Sequence, residues 1–150
     1  VIQKTTELGV QTIIPIQSRQ SIVQVKADRI ETQTARWRRI ALEAAQQSEQ
    51  WRIPTIASPL SWSSCMTEKA AHSLALILTE RRDQISSLAS IELPSTPETS
   101  ILVLVGPEGG WTQEEIAIAE GASFIPVTLG PKILRAETAA MITMGILQSR

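Results

Sequence analysis

The run Ile101-Leu102-Val103-Leu104-Val105-Gly106-Pro107-Glu108-Gly109-Gly110-Trp111-Thr112-Gln113-Glu114-Glu115 decides the fold. Its first five residues are apolar without alternation, the pattern of a strand covered on both faces. Thr112 and Glu115 have the spacing of a capping box, in which a hydroxyl and a carboxylate satisfy free N–H groups at a helix start. Between strand and helix, Gly106 to Gly110 permits backbone approaches that a side chain would block. Free backbone N–H and C=O groups in such a loop can read the edge of a ligand. The glycine loop alone is equally compatible with a tight turn.

Working outward, Ser73 to Thr79 is a second continuous apolar run of strand length, and Phe124 to Leu129 is a third strand. Gly130-Pro131-Lys132 then turns the chain, and Glu137 to Gln148 closes it as a helix. Upstream, Ile2 to Leu8 is a short helix capped by Gly9, and Thr12 to Ile16 is a β-branched strand. Residues 29 to 50 hold the longest helical pattern, with Trp37, Ile40, Ala41, Ala44 and Ser48 on one face, and Pro54 stops it. Thr55 to Ala57 reads as a short strand, and Ser61 caps a helix through about Ala70. Ser86 to Ser100 is rich in Ser, Pro and Thr and reads as a surface connection, with one helical turn near Gln84 to Leu88. Strand and helix alternate throughout, which predicts an α/β fold with a mainly parallel sheet flanked by helices. There is no internal repeat.

Composition narrows the function. The 150 residues suit one domain, 43% hydrophobic and 19% charged, so the chain is neither a disordered tail nor a surface-dominated module. Fourteen basic against fifteen acidic residues give a net charge of -1, which excludes affinity from an overwhelming positive field but leaves room for a local basic face. One cysteine excludes an internal disulfide framework, no Cys and His group has zinc spacing, and a reducing cytoplasmic setting fits. No apolar run is long enough to span a bilayer and the start Val1-Ile2-Gln3-Lys4 is no signal peptide, so no membrane partner is expected.

The three strand ends Thr79-Glu80, Gly106 to Gly110 and Leu129 to Arg135 are expected to converge, because parallel sheets bind ligands beyond the carboxyl ends of their strands. That arrangement suits a flat heterocycle such as adenine. The Walker Lys-Ser/Thr pattern and the Gly-x-Gly-x-x-Gly fingerprint are both absent. Ile133 and Leu134 in so short a loop need something apolar to pack against. Arg135 to Thr138 alone reads as a helix start, with Glu137 complementing the dipole. His72 has no companion for catalysis, Cys65 reads as a small apolar group, and the four tryptophans read as packing groups, with Trp51 beside Arg52 also suited to stacking on a base. The last helix leaves almost no polar stripe, from Ala136 through Leu147, and its second apolar side predicts a homodimer unless the helix is sunk between the sheet and its neighbours.

Lys4-Thr5-Thr6-Glu7-Leu8-Gly9-Val10, Glu43-Ala44-Ala45-Gln46-Gln47-Ser48, Leu104-Val105-Gly106-Pro107-Glu108-Gly109-Gly110 and Leu129-Gly130-Pro131-Lys132-Ile133-Leu134-Arg135-Ala136-Glu137-Thr138-Ala139 together resemble the RsmE family. The resemblance runs from about residue 1 to 150, and four spaced motifs in one order are far more specific than any one. It implies an S-adenosylmethionine-dependent methyltransferase, without a metal, acting on N3 of a uridine in 16S ribosomal RNA of the small subunit. It also implies the SPOUT-type α/β trefoil knot, with the C-terminal helix at a dimer interface. A knot contradicts the usual rule against threaded loops and does not follow from periodicity. The resemblance places Leu78, Thr79, Glu80, Val105, Gly106, Pro107, Glu108, Gly109, Gly110, Leu129, Gly130, Ile133, Leu134, Arg135 and Thr138 around the cofactor. The family carries an N-terminal RNA-binding barrel (PUA-like) and a first catalytic-domain strand, both expected to be missing here. Two positions depart from its pattern: Gln20, with Arg19 before it, and Gln50, with Arg52 nearby, stand where the family has Arg.

Methylation at N3 requires loss of its proton, so a carboxylate base or a cation stabilising the uracil anion is expected. Arg135, Glu137 and Glu108 are the available groups, Arg135 for anion or phosphate contact and the two glutamates as base or loop anchors. The alternatives are an RNA methyltransferase of the same fold with another ribosomal or transfer RNA target, a non-enzymatic RNA-binding module, and an α/β enzyme that binds a phosphate at the glycine loop. An RNA-binding module predicts basic and aromatic enrichment, which the composition lacks.

Overall fold

The computed structural model describes residues 1–18, 26–80, 85–94, 96 and 99–150. Gln20 and Gln84 lie outside the described residues; of the helical turn expected near Gln84 to Leu88, Ser86–Ser87 is a strand instead, and a 3-10 turn follows it over Leu88–Ser90. Helix α1 (Ile2–Glu7) ends at Gly9, whose φ of +74° lets Gly9 N–H reach the Thr6 carbonyl at 2.9 Å and Val10 N–H reach that of Thr5 at 3.1 Å. The expected strand 12–16 is two short pieces, β1 (Thr12–Ile13) and β2 (Ile16–Gln17). Helix α2 (Ile30–Gln47) follows, burying Ala41 and Ala44 of the predicted face, with Thr34 and Ala45 beside them, while Trp37, Ile40 and Ser48 are half-buried. β3 (Thr55–Ile56) and β4 (Leu60–Ser61) then pair parallel with β1 and β2. Register shifts by one residue between Ile13↔Ile56 and Ile16↔Leu60. Pro15 and Pro59 fall in that gap, where a missing N–H interrupts the ladder.

Helix α3 (Trp62–Glu68) is capped by Ser61 as expected, and its last predicted turn tightens to a 3-10 helix over Lys69–Ala71. β5 (Leu74–Leu78) is the buried run of the main sheet. The Ser/Pro/Thr-rich segment is not wholly a surface connection: Ser86–Ser87 forms β6, and Leu88 beside it is fully buried. β7 (Ile101–Leu104), α4 (Gln113–Gly121), β8 (Ile125–Thr128) and α5 (Ala136–Gln148) complete the chain. The described main sheet is parallel with order β6-β8-β5-β7. The predicted α/β architecture with helices around a parallel sheet is therefore present.

Two apolar layers fill the core. Cys65, Ala75, Ile77, Leu104, Ile116, Ala119 and Phe124 form one, packed by Trp62 and Trp111. Leu76, Leu78, Leu88 and Val127 form the other, against Ala139, Ile146 and Leu147 of α5. Alternate residues of β5 supply both, because successive strand side chains point to opposite faces. Helix α5 is not buried all round within one chain: Ala140 and Thr143 are buried, while Ile142 is 38% exposed and Gly145 is exposed.

Candidate functional site

A cleft of about 350 Å³ opens beyond the carboxyl ends of β5, β7 and β8. The strand order explains its place, since β8 and β7 flank β5 on opposite sides and their outgoing loops must part there. Leu78, Thr79 and Glu80 come from the first strand end, Val105, Gly106, Pro107, Glu108, Gly109 and Gly110 from the second, and Leu129, Gly130, Ile133 and Leu134 from the third. The three segments singled out in the sequence thus meet in one cavity. Arg135, Glu137 and Thr138 are not among its lining residues, although Leu134 and Ala136 on either side of Arg135 are. Arg135 is exposed at the N-cap of α5, and Glu137 is exposed in its first turn.

Trp111, Gln113, Ile116, Thr128, Lys132, Ala136 and Ala139 also line the cleft and were not singled out as site residues from the sequence. Position immediately after a strand end or loop was the available signal for Trp111, Thr128 and Lys132. For Ile116 and Ala139, helix residues of apolar type, core packing is the natural reading and the sequence held no contrary sign.

Local bonding shapes the loops. Gly110 has φ +72° and Gly130 φ +123°, conformations that favour glycine. Thr128 Oγ1 accepts from Gly130 N–H at 3.2 Å and donates to the Gly130 carbonyl at 3.1 Å, folding the third loop back on its strand. The capping box is complete: Thr112 Oγ1 accepts from Glu115 N–H at 3.1 Å, and Glu115 Oε2 accepts from Thr112 N–H at 2.8 Å. Charge in the cleft comes from Glu80, Glu108 and Lys132, all solvent-exposed, while Leu78, Ile116, Leu134 and Ala139 supply apolar wall. Ile133 is 80% exposed at the rim, so no part of the described chain covers it.

The other two motifs stand elsewhere. Lys4 pairs with Glu7 at 2.9 Å, Gln50 Nε2 donates to the Glu7 carbonyl at 3.1 Å, and Gln148 Nε2 donates to the Leu8 carbonyl. Gln50 therefore holds the end of α1. This corner sits at the C-terminal end of α5, roughly 14–18 Å along the helix from Ala139 and Ala136, which line the cleft. Trp51 beside it is fully exposed at 102%. Cys65 is buried, and burial, with Glu68 adding to it, pushes its thiol up to about 11. His72 meets Ser100 through Nδ1, a contact just before the starts of β5 and β7, at the opposite end of the strands from the cleft.

Residues 1–148 match the family model of an RNA methyltransferase domain. A curated relative, ribosomal RNA small subunit methyltransferase E of Synechocystis sp., is 34% identical over 97% of this chain and 46% of its own length. Two solved structures superpose closely. Ribosomal RNA small subunit methyltransferase E of Neisseria gonorrhoeae, bound to S-adenosyl methionine, gives a TM-score of 0.87 at 34% identity over 99% of this chain and 58% of that one. Lpg2936 of Legionella pneumophila, in complex with SAM, gives 0.88 at 31% identity over 99% and 59%. The chain spans about half the length of the curated relatives it matches.

Proposed function

The chain belongs to the RNA methyltransferase domain family, and from that premise we propose that it transfers a methyl group from S-adenosylmethionine to N3 of a uridine in small-subunit ribosomal RNA. The observation that carries the reading is the meeting of three sequence-distant strand ends in one cleft. The residues present fit the donor. A volume of about 350 Å³ is within the range of small-molecule sites. Glycine backbone offers hydrogen-bonding edges to adenine, the apolar wall suits its faces, and Glu80 and Glu108 favour a ligand that carries sulfonium and ammonium charge.

When bound, the donor supplies an electrophilic methyl group on sulfur. The three loops hold and orient it and exclude water from the reacting pair. Glu108 lines the cleft and is assigned the acceptance of the N3 proton. Arg135, between two lining residues, is assigned stabilisation of the uracil anion or an RNA phosphate. Glu137 complements the positive end of the α5 dipole and steadies the loop before it. Thr138 follows in the same turn and is assigned to the donor's surroundings.

Two further features belong to this reading. β8, the last strand, is inserted between β6 and β5, which supports an α/β knot in which the chain beyond β8 is threaded. The exposed apolar face of α5 around Ile142 supports a homodimer. Together with the family, the absence of a membrane-length apolar helix among the described residues fits a cytoplasmic enzyme acting on ribosomal RNA.

Calorimetric titration with S-adenosylmethionine against competing nucleoside phosphates tests the reading. Micromolar binding of the donor alone is expected; preference for a phosphate would transfer the cleft to another chemistry. In the full-length protein, Arg135→Ala is expected to slow methylation about 100-fold with donor binding retained. A near-normal rate would remove Arg135 from the reaction.

A further inference from the structure

We propose that Trp111 is a positioning residue for the donor: its indole ties the end of β5 to the glycine loop after β7 and sets the width of the cleft before any ligand arrives. Only the identity of the ligand rests on the methyl-transfer reading above.

β5 and β7 pair as far as Ile77↔Leu104, where their register ends. On its other edge β5 stays paired with β8 through Leu78↔Val127, and Thr79 N–H still donates to the Val127 carbonyl at 2.9 Å. The two edges therefore end unequally, and the cleft begins on the side released first. At that point the Leu78 carbonyl accepts from Trp111 Nε1–H at 3.0 Å. The same indole lies on Gly106, where an added Cβ would stand 3.3 Å from Nε1 and 3.4 Å from Cε2. One ring thus binds one strand end by a hydrogen bond and the next by contact. Trp62 supports it from behind, with ring centroids 4.9 Å apart and planes inclined by 46°. The Trp62 N–H has no partner among the described residues, so within this pair of rings the polar tie belongs to Trp111.

Leu78, Gly106 and Trp111 all line the cleft, so the tie spans two of the three segments that would hold the donor. Phenylalanine at 111 would keep the apolar contact and leave the Leu78 carbonyl without its donor. The loops would then be ordered at the expense of binding.

The test is Trp111→Phe in the full-length protein. The Kd for S-adenosylmethionine is expected to rise about five- to tenfold, and KM for the donor likewise, with kcat within about twofold. In the free protein, amide exchange at Gly106, Gly109 and Gly110 should quicken about tenfold while that of β5 stays unchanged. Normal affinity together with unchanged exchange would overturn the tie, and so would a fall in kcat at constant KM. If the unmutated protein bound no donor, the methyl-transfer reading would fail by itself and amide exchange would still decide the tie. Should the variant not fold, exchange of the Trp111 indole N–H in the unmutated protein decides: protection about a hundredfold over the exposed Trp51 indole is expected, and equal rates would overturn the proposal.

Discussion

Cys65 is a nucleophile by element and a methyl-sized filler by position. It is 1% exposed in the layer formed by Ala75, Ile77 and Phe124, and its thiol is raised from 9.0 to about 11 by burial and by Glu68. At pH 8 that shift reduces the thiolate about 100-fold, before steric exclusion is counted. A thiolate of higher pKa is also more nucleophilic, so alkylation of the native protein should be slower than in urea by about tenfold or more; equal rates would place Cys65 at the surface. Its packing role was legible because the sequence offers no histidine beside it. The tie made by Trp111 was not, since a tryptophan after a glycine loop reads as packing until the Leu78 carbonyl is seen in front of its N–H.

Helix ends are where element-level reading works best, because caps depend on residues three or four apart. Thr112 and Glu115 form the capping box their spacing announces, and Thr112→Ala should lower stability by about 1 kcal/mol in urea unfolding. The stops are less legible. α1 ends on glycine, but α2 and α4 end with Glu49 at φ +53° and Ser123 at φ +66°, in the same bonding pattern. A side chain in that left-handed region is strained, so Ser123→Gly is expected to raise the urea midpoint by the equivalent of about 0.5–1 kcal/mol. An unchanged or lower midpoint would show that the strain is relieved elsewhere. β6 escaped the sequence reading for another reason: a strand of two serines has no apolar pattern, and its place comes from β8 alongside it.

For the whole molecule, the decisive question is what covers α5. Ala139, Ile146 and Leu147 pack on the sheet and leave Ile142 facing outward beside half-buried Met141. Light scattering is expected to find dimers for the unmodified protein and monomers for Ile142→Glu, because a carboxylate buried without a partner costs several kcal/mol. Dimers that survive this change would move the interface off α5.

Periodicity, caps and glycine placement are local properties, and they sufficed for the α/β class, most element positions and the three loops of the cleft. The order β6-β8-β5-β7, the insertion of the last strand between two earlier ones, and the selection of Trp111 and Lys132 but not Arg135 as cleft-lining groups came only with the tertiary structure. The physical reason is one of range. A cap or strand pattern is set by neighbours along the chain, whereas strand order and cavity walls are set by which buried surfaces meet across it, and many orders satisfy the same local signals.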